Sequence, residues 1–578
     1  MIQFTTDEEV AVMTHQPLYA EKPWLNHYEP DVPGIIDYDR ICLPEILIST
    51  ADNYPEKAAL KFQGYQITYR ELKSMVDRFA ACLSEFGVGR GDRVAILLPN
   101  LIPCVASYFA VLKIGAIAVM NNPLYTDREL EHQLNDSGSK ALITLDLLCN
   151  RMIDLRPKTD VRQIVYTTIG DYLPFPKKLL FKIFGKKKKL AATVKSAEDV
   201  YRWKDVLLAN YADPADIELC FEDHAMYQYT GGTTGISKGA VLTHGNLSVQ
   251  VQQLRAWFPG FSPSGEIMLG ALPFFHVFGL TTSMNFSIYM AWTNILVPKP
   301  QPDALLDTIR KFRPTFAPLV PTMYIGMLNH PDIQKTDLTS IDGCFSGSSP
   351  LPVEVIEEFE RKTGAVIVEG YGLTEAAPVT HVNPFAEGKR KIGSIGVPVS
   401  DTACRIVDLD SGETDVPVGE TGELLIKGPQ VMKGYWNMPD ETAATLKDDW
   451  LYTGDIARMD EDGYFYIIDR KKDMIISGGY NVYPRDVEEV FYEHPNVKEA
   501  CCIGIPHSRR GEAVKVFVVL KEGQTATPEE LMDFCKIRLA KYKLPEEIEF
   551  RVELPKTNVG KILRKALKAE DSAKRSLS

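Results

Sequence analysis

Long apolar runs are missing from this chain. The longest, VASYFAVLKIGAIAVM from Val105 to Met120, is broken by Lys113 and is short for a membrane span, so no transmembrane helix is expected. The opening residues, MIQFTTDEEVAVM, carry acids where a secretory leader carries lysine or arginine, and they lack its apolar centre. No cleaved signal is expected. A basic excess is missing too: 64 Lys and Arg against 77 Asp and Glu leave a net charge of −13, which argues against general nucleic-acid binding. Cysteine is sparse, ten in 578 residues, with no CxxC pair and no metal-ligand spacing. Cys104 and Cys344 stand among apolar or small neighbours, as reduced packing residues of a cytosolic protein would. No short-period internal repeat is present.

What the chain does contain is an unusual loop, YTGGTTGISKGAVLTHGNL, from Tyr229 to Leu247. Between Thr230 and Gly239 it gathers Gly231, Gly232, Thr233, Thr234, Gly235, Ser237 and Lys238. Glycine and threonine also fill ordinary turns, but bare amides, hydroxyls and one cation together are the groups that wrap a polyphosphate. The Walker pattern G-x-x-x-x-G-K-[ST] fails, because Ser237 precedes Lys238 and Gly239 follows it. The loop is a phosphate binder of another kind.

At 578 residues the chain exceeds one hydrophobic core, and two or more domains are expected. Thr68 with Glu71 and Thr126 with Glu129 make capping-box patterns ahead of helical stripes. Between and after them lie the strand-like RVAILLP, IAVM and ALITL, and this alternation implies a parallel sheet covered by helices. Past Gly396 short β-like runs (ACRIVDLDSGE, GELLIKG, GYFYIID) suggest a small barrel-like subdomain. The rest reads helix, strand, strand, helix. The expected fold is therefore α/β: a large N-terminal domain (1–468), a charged linker (469–473) and a small α+β C-terminal domain (474–578).

Further motifs follow the loop in order: LPFFHVFG (272–279), SGSSPLP (346–352), EGYGLTE (369–375), YTGD (452–455), DRKKDMIISGGYNVYP (469–484) and LPKTNVGKILR (554–564). Together they resemble the adenylate-forming superfamily of acyl-CoA synthetases, peptide-synthetase adenylation domains and luciferases, and within it bacterial long-chain fatty-acid–CoA ligases. The resemblance spans roughly residues 40 to 568. It implies two half-reactions. A fatty carboxylate attacks the α-phosphorus of ATP to give acyl-AMP and pyrophosphate, and the thiol of coenzyme A then displaces AMP. A carboxylate is already anionic at neutral pH, so the first step needs charge neutralisation and alignment rather than a base.

Carried onto this sequence, the resemblance gives the loop Thr230 to Lys238 to the β- and γ-phosphates, and Thr230 with Glu375 to Mg2+. It gives Gly347, Ser348 and Tyr371 to the adenine, within motifs that include Gly372 and Thr374. Asp455 would accept both ribose hydroxyls and Arg470 would add donors to the same sugar. Lys561 matches the catalytic lysine of adenylation, His276 a gate near the acyl group or thiol channel, and Ser477, Gly478 and Gly479 the pantetheine contact. Lys472 falls at the domain hinge. Alone, Asp455 reads as a turn aspartate, His276 as a core histidine and KILRKALKAE as a solvated basic helix.

The segment PFPKKLLFKIFGKKKKL, from Pro174 to Leu190, belongs to no shared motif. Its alternating lysines and apolar residues fit either a peripheral contact with an anionic membrane at the cytoplasmic face or a solvated basic loop. A homodimer is the remaining partner expectation. Two other functions stay open: an adenylate-former using a medium-chain or other acid, or passing its acyl group to a carrier protein, and an inactive acyl-binding protein. The last should have lost its charged groups, yet Lys238, Glu375, Asp455, Arg470 and Lys561 are all present.

Overall fold

The computed structural model describes residues 19, 21–214, 217–230, 237–477, 480–507, 509–556 and 562–577. Both expected capping boxes form. Thr68 Oγ1 accepts from the Glu71 amide at 3.2 Å while Glu71 Oε2 accepts from the Thr68 amide at 2.7 Å, opening the helix Tyr69–Glu85. Thr126 and Glu129 do the same for Asp127–Ser137. The helix Ile102–Lys113 is buried through Leu112, which is why its sequence lacks a polar face.

Among the described residues, the alternation builds two large sheets. One has eight strands in the order Gly434–Tyr435, Lys238–Thr243, His224–Thr230, Ile117–Met120, Arg93–Leu97, Ser139–Leu145, Gln163–Thr167 and Val200–Arg202. It is parallel from His224–Thr230 onward. The other, nine-stranded sheet has a parallel centre that includes Ile267–Gly270, Phe316–Leu319, Gly343–Ser346 and Val366–Gly372. A five-stranded antiparallel sheet follows, containing the paired strands Trp450–Met459 and Phe465–Arg470. Nine of the ten cysteines are buried and all ten are free thiols; Cys220 is exposed.

The helix His244–Trp257, which follows the glycine-rich hairpin, is almost wholly buried although it is rich in Asn, Gln and Ser. Burial of amides is tolerated because each finds a distant partner. Asn246 Nδ2 donates to the carbonyls of Pro429 (2.9 Å) and Val431 (2.8 Å), Gln250 Oε1 accepts from the Val379 amide (2.6 Å), and Gln253 Nε2 donates to Ser400 O (2.8 Å). The helix thereby fixes the hairpin against segments from the other sheets.

The C-terminal unit is an antiparallel sheet of Tyr480–Val482, Ile475–Ser477, Gly511–Leu520 and Val497–His507, with Glu547–Phe550 added in parallel. It has its own buried core around Val487, Phe491, Val514, Val516 and Leu531. Buried Lys515 pins the helix Arg564–Leu577 to this sheet by pairing with Asp571 (2.7 Å) and Glu549 (2.8 Å). At the junction, Asp469 and Arg470 are not free linker. They end the strand Phe465–Arg470, because Ile456 and Asp455 continue the ladder opposite them, and residues 471–473 form the turn.

Candidate active site

The YTGD and DRKKD motifs meet across one ladder. Asp455 stands opposite Arg470, and Arg470 Nε lies 3.0 Å from Asp455 Oδ1. The other carboxylate oxygen accepts from the Tyr371 hydroxyl at 2.5 Å, from the end of Val366–Gly372. The Asp455 side chain is 4% exposed and that of Arg470 43%, so the pair presents a cation at the rim of a buried acid. Burial first and the Asp455 charge next push the Tyr371 phenol well above the ordinary tyrosine value. It therefore stays a donor. Lys471 Nζ and the Gly454 amide grip the two oxygens of Glu423 at 2.9 and 3.1 Å, which fixes the turn on either side of Asp455.

SGSSPLP and EGYGLTE lie on neighbouring parallel strands, with Ser346 opposite Glu369. Glu369 Oε1 accepts from the Leu351 amide at 3.0 Å, folding the Gly347–Ser348 loop toward the Tyr371 strand. Ser348 takes a left-handed φ of 74°, and a Cβ on Gly347 would come 3.2 Å from the Phe278 ring. At Gly372 a Cβ would lie 2.0 Å from Pro378 O, so that position admits only glycine. His276 caps the short turn Val277–Gly279, its Nδ1 accepting from the Phe278 amide at 3.3 Å, and so stands two residues from that ring.

The hairpin brings Thr230 and Lys238 opposite each other. Ser237 is braced by the neighbouring helix: His132 Nε2 lies 3.0 Å from its carbonyl and Gln133 Nε2 3.4 Å from its hydroxyl. Lys238 Nζ pairs with Glu441 and sits 5.2 Å from the Tyr435 ring centroid. The Tyr435 hydroxyl donates to Glu375 Oε1 at 2.7 Å. Its phenol is also raised, by burial and then by Glu375. Thr374 and Glu375 form the single turn Thr374–Ala376.

Sequence reasoning missed Tyr435 and Glu441; an aromatic after a glycine in a β-rich region carries no local signal. Gly231, Gly232, Thr233, Thr234, Gly235, Gly478, Gly479 and Lys561 lie outside the described residues. Ser477 is buried at the end of Ile475–Ser477, and Lys472 is exposed in the turn after Arg470. Among the described residues, no group of three or more His, Cys, Asp or Glu gathers as a metal cage. One hydroxyl, on Thr230, and one carboxylate, on Glu375, are hard donors that suit Mg2+, which keeps waters and binds substrate phosphates.

A hydroxyl, carboxylate and cation constellation on helix-covered sheets, with a separate α+β unit after it, fits an adenylate-forming enzyme. The chain belongs to the AMP-binding enzymes: residues 47–436 match the family described by that name, and 486–561 match the AMP-binding enzyme C-terminal domain. It is 47% identical over 557 residues to a long-chain-fatty-acid–CoA ligase of Bacillus subtilis, covering 96% of this chain and 99% of the relative. Its structure is similar to that of the anthranilate CoA ligase AuaEII with anthranoyl-AMP (TM-score 0.81, 28% identity, 93% of this chain and 98% of the other). It also resembles ATP-bound MatB from Rhodopseudomonas palustris (TM-score 0.79, 29% identity, 91% and 98%).

Proposed function

We propose that the chain is an ATP-dependent long-chain fatty-acid–CoA ligase, forming acyl-AMP and pyrophosphate and then acyl-CoA and AMP. The observation that carries this reading is the convergence of Tyr371, Asp455 and Arg470, with Glu375 in the same motif as Tyr371 and linked through Tyr435 to Lys238 of the hairpin. Asp455 would exchange its internal partners for ribose hydroxyls, and the flat face of Tyr371 would stack on adenine. Lys238 would leave Glu441 for the phosphates. Mg2+ arriving with ATP would be held at Thr230 and Glu375, where it neutralises phosphate charge. Lys561 would stabilise charge where carboxylate meets phosphorus. The reading is tested by ATP–pyrophosphate exchange over a graded series of acids. Saturable exchange should rise from short to long aliphatic chains, and stronger exchange with a benzoate than with any fatty acid would overturn the long-chain assignment.

Ser477, Gly478 and Gly479 would meet pantetheine in the second half-reaction, so the small domain must turn about Lys472. Proline at Lys472 fixes its φ and restricts Lys471 before it. Lys472→Pro is expected to keep pyrophosphate exchange and to lose thioester formation from isolated acyl-AMP. A folded variant running both halves at the wild-type ratio would place the hinge elsewhere.

Membrane contact rests on a separate observation. The helix Lys177–Phe184 has no buried residue, although five of its eight residues are large and apolar. Phe175, Leu179, Leu180, Ile183, Phe184 and Leu190 all stand exposed among Lys177, Lys178, Lys182 and Lys186 to Lys189. Such a face fits an anionic bilayer, from which a fatty acid would be drawn. Among the described residues no helix is long and apolar enough to cross one. Replacing Lys186 to Lys189 by glutamine is expected to weaken liposome sedimentation, at about 1 kcal/mol per lysine near the surface, without changing turnover of a soluble short acid.

A further inference from the structure

The segment from Met432 to Trp436 ties the two large sheets together at the site. Its first amide, on Met432, donates to Glu375 O at 2.7 Å, on the acidic loop of one sheet. The residues that follow run as an edge strand along the phosphate hairpin of the other: the Lys433 amide donates to Val241 O (3.0 Å), Tyr435 stands opposite Ala240, and the Trp436 amide donates to Gly239 O (2.8 Å). Trp436 then stacks on Tyr227 with centroids 4.7 Å apart, and its indole N–H donates to Asp136 O at 2.9 Å. The Tyr435 amide donates to Thr442 Oγ1 at 2.9 Å, and Gly434 before it has no room for a Cβ, which would lie 2.7 Å from the Thr442 methyl. The backbone of Tyr435 is held on several sides.

The side chain so fixed touches two opposite charges at once. Its hydroxyl donates to Glu375 Oε1 at 2.7 Å, and its ring lies 5.2 Å from Lys238 Nζ. An ammonium and a carboxylate on adjoining loops would ordinarily pair with each other, and each would then be spent. Here Lys238 pairs with Glu441 instead, while Glu375 takes a neutral donor. We propose that Tyr435 is a positioning residue that holds Lys238 and Glu375 apart. Its ring carries the lysine for the phosphates, and its hydroxyl turns the carboxylate so that a second oxygen stays free for a cation or its water. One donated hydrogen bond is enough to fix the rotation of a carboxylate and leaves its other lone pairs available. The ring supports a cation without neutralising it. This inference rests on the reading of Lys238 and Glu375 as phosphate and metal contacts.

The test is the affinity for α,β-methylene-ATP, measured by calorimetry on the full chain with and without Mg2+. Wild type should bind the analogue more tightly with Mg2+. Tyr435→Phe keeps the ring and should bind the metal-free analogue as wild type does, while losing about tenfold of the Mg2+-dependent gain, the scale of a hydrogen bond to a charged group. Tyr435→Leu should also weaken metal-free binding, because Lys238 can then fall onto Glu375. Glu375→Gln should abolish the gain, and adding Tyr435→Phe to it should cost nothing further, since one residue acts through the other. A tyrosine that served only packing would give additive losses in the double variant and would lower the melting temperature of Tyr435→Phe. If Glu375→Gln abolishes the gain and Tyr435→Phe retains it in full, the positioning role is overturned. If Glu375→Gln itself leaves the gain intact, the metal reading fails and the tyrosine's role with it.

Discussion

Lys561→Ala is expected to reduce ATP–pyrophosphate exchange by at least about 100-fold, the scale of losing a key electrostatic group, while thioester formation from supplied acyl-AMP continues. The asymmetry follows from where charge develops. In the first half-reaction an anionic carboxylate approaches an anionic phosphate, and a cation placed between them lowers the barrier directly. In the second half the nucleophile is a thiol and the leaving group AMP, and the proposed turn of the small domain has carried the lysine away. On either side of it, Lys556 and Ile562 pair as an isolated bridge, and the Leu563 amide donates to Pro555 O at 2.7 Å. Rapid-quench measurement of each half separately decides the matter. Equal loss in both would show that Lys561 serves stability or nucleotide affinity at large.

Arg564→Leu is expected to destabilise the C-terminal unit by about 3–5 kcal/mol, the cost of removing one partner from a buried ion network. Arg564 is 19% exposed and reaches Glu488 at 2.7 Å, Asp473 at 3.1 Å and Asp469 at 3.5 Å. Asp469 and Glu488 are 3% and 14% exposed, so neither can turn to water when the guanidinium is gone. Backbone amides would remain to them, from Arg485 to Asp469 at 2.8 Å and from Cys502 to Glu488 at 2.7 Å, but no cation of the network. Burial already raises the pKa of both carboxyls above their ordinary values, and Arg564 is the leading influence pulling them down. Without it they rise further. A carboxyl whose folded pKa lies above its unfolded value binds more protons when folded, so stability falls as pH rises through the folded value. The deficit of Arg564→Leu should therefore be largest at neutral pH and shrink on acidification, and Arg564→Lys, with one ammonium for three acids, should lie between. Hydrogen exchange of the Val497–His507 and Gly511–Leu520 amides in the full chain reads this directly. Unchanged protection in Arg564→Leu would mean that the network is neutral in the folding balance.

What the sequence by itself determined is what near neighbours decide. Thr68 with Glu71 and Thr126 with Glu129 are capping boxes because three residues separate the partners, and both formed. The alternation of helix and strand, the packing role of Cys104 and Cys344 and the texture change past Gly396 are likewise local, and all are seen. The ordered motifs were legible for the same reason, since each is a short run of fixed residue types. Only the tertiary structure decided which runs meet. Tyr371 and Asp455 are 84 residues apart, and the register of one antiparallel ladder puts Arg470 beside the same carboxylate. His244–Trp257 looks like a surface helix by composition but is buried, because its amides find partners in segments far along the chain. Tyr435 carried no signal at all, and Arg564, though it closes the LPKTNVGKILR motif, gave no sign of its partners. Each matters through opposite charges supplied by other elements, and a charge pairing fixed by packing leaves no periodicity, cap or turn chemistry in its own stretch of sequence.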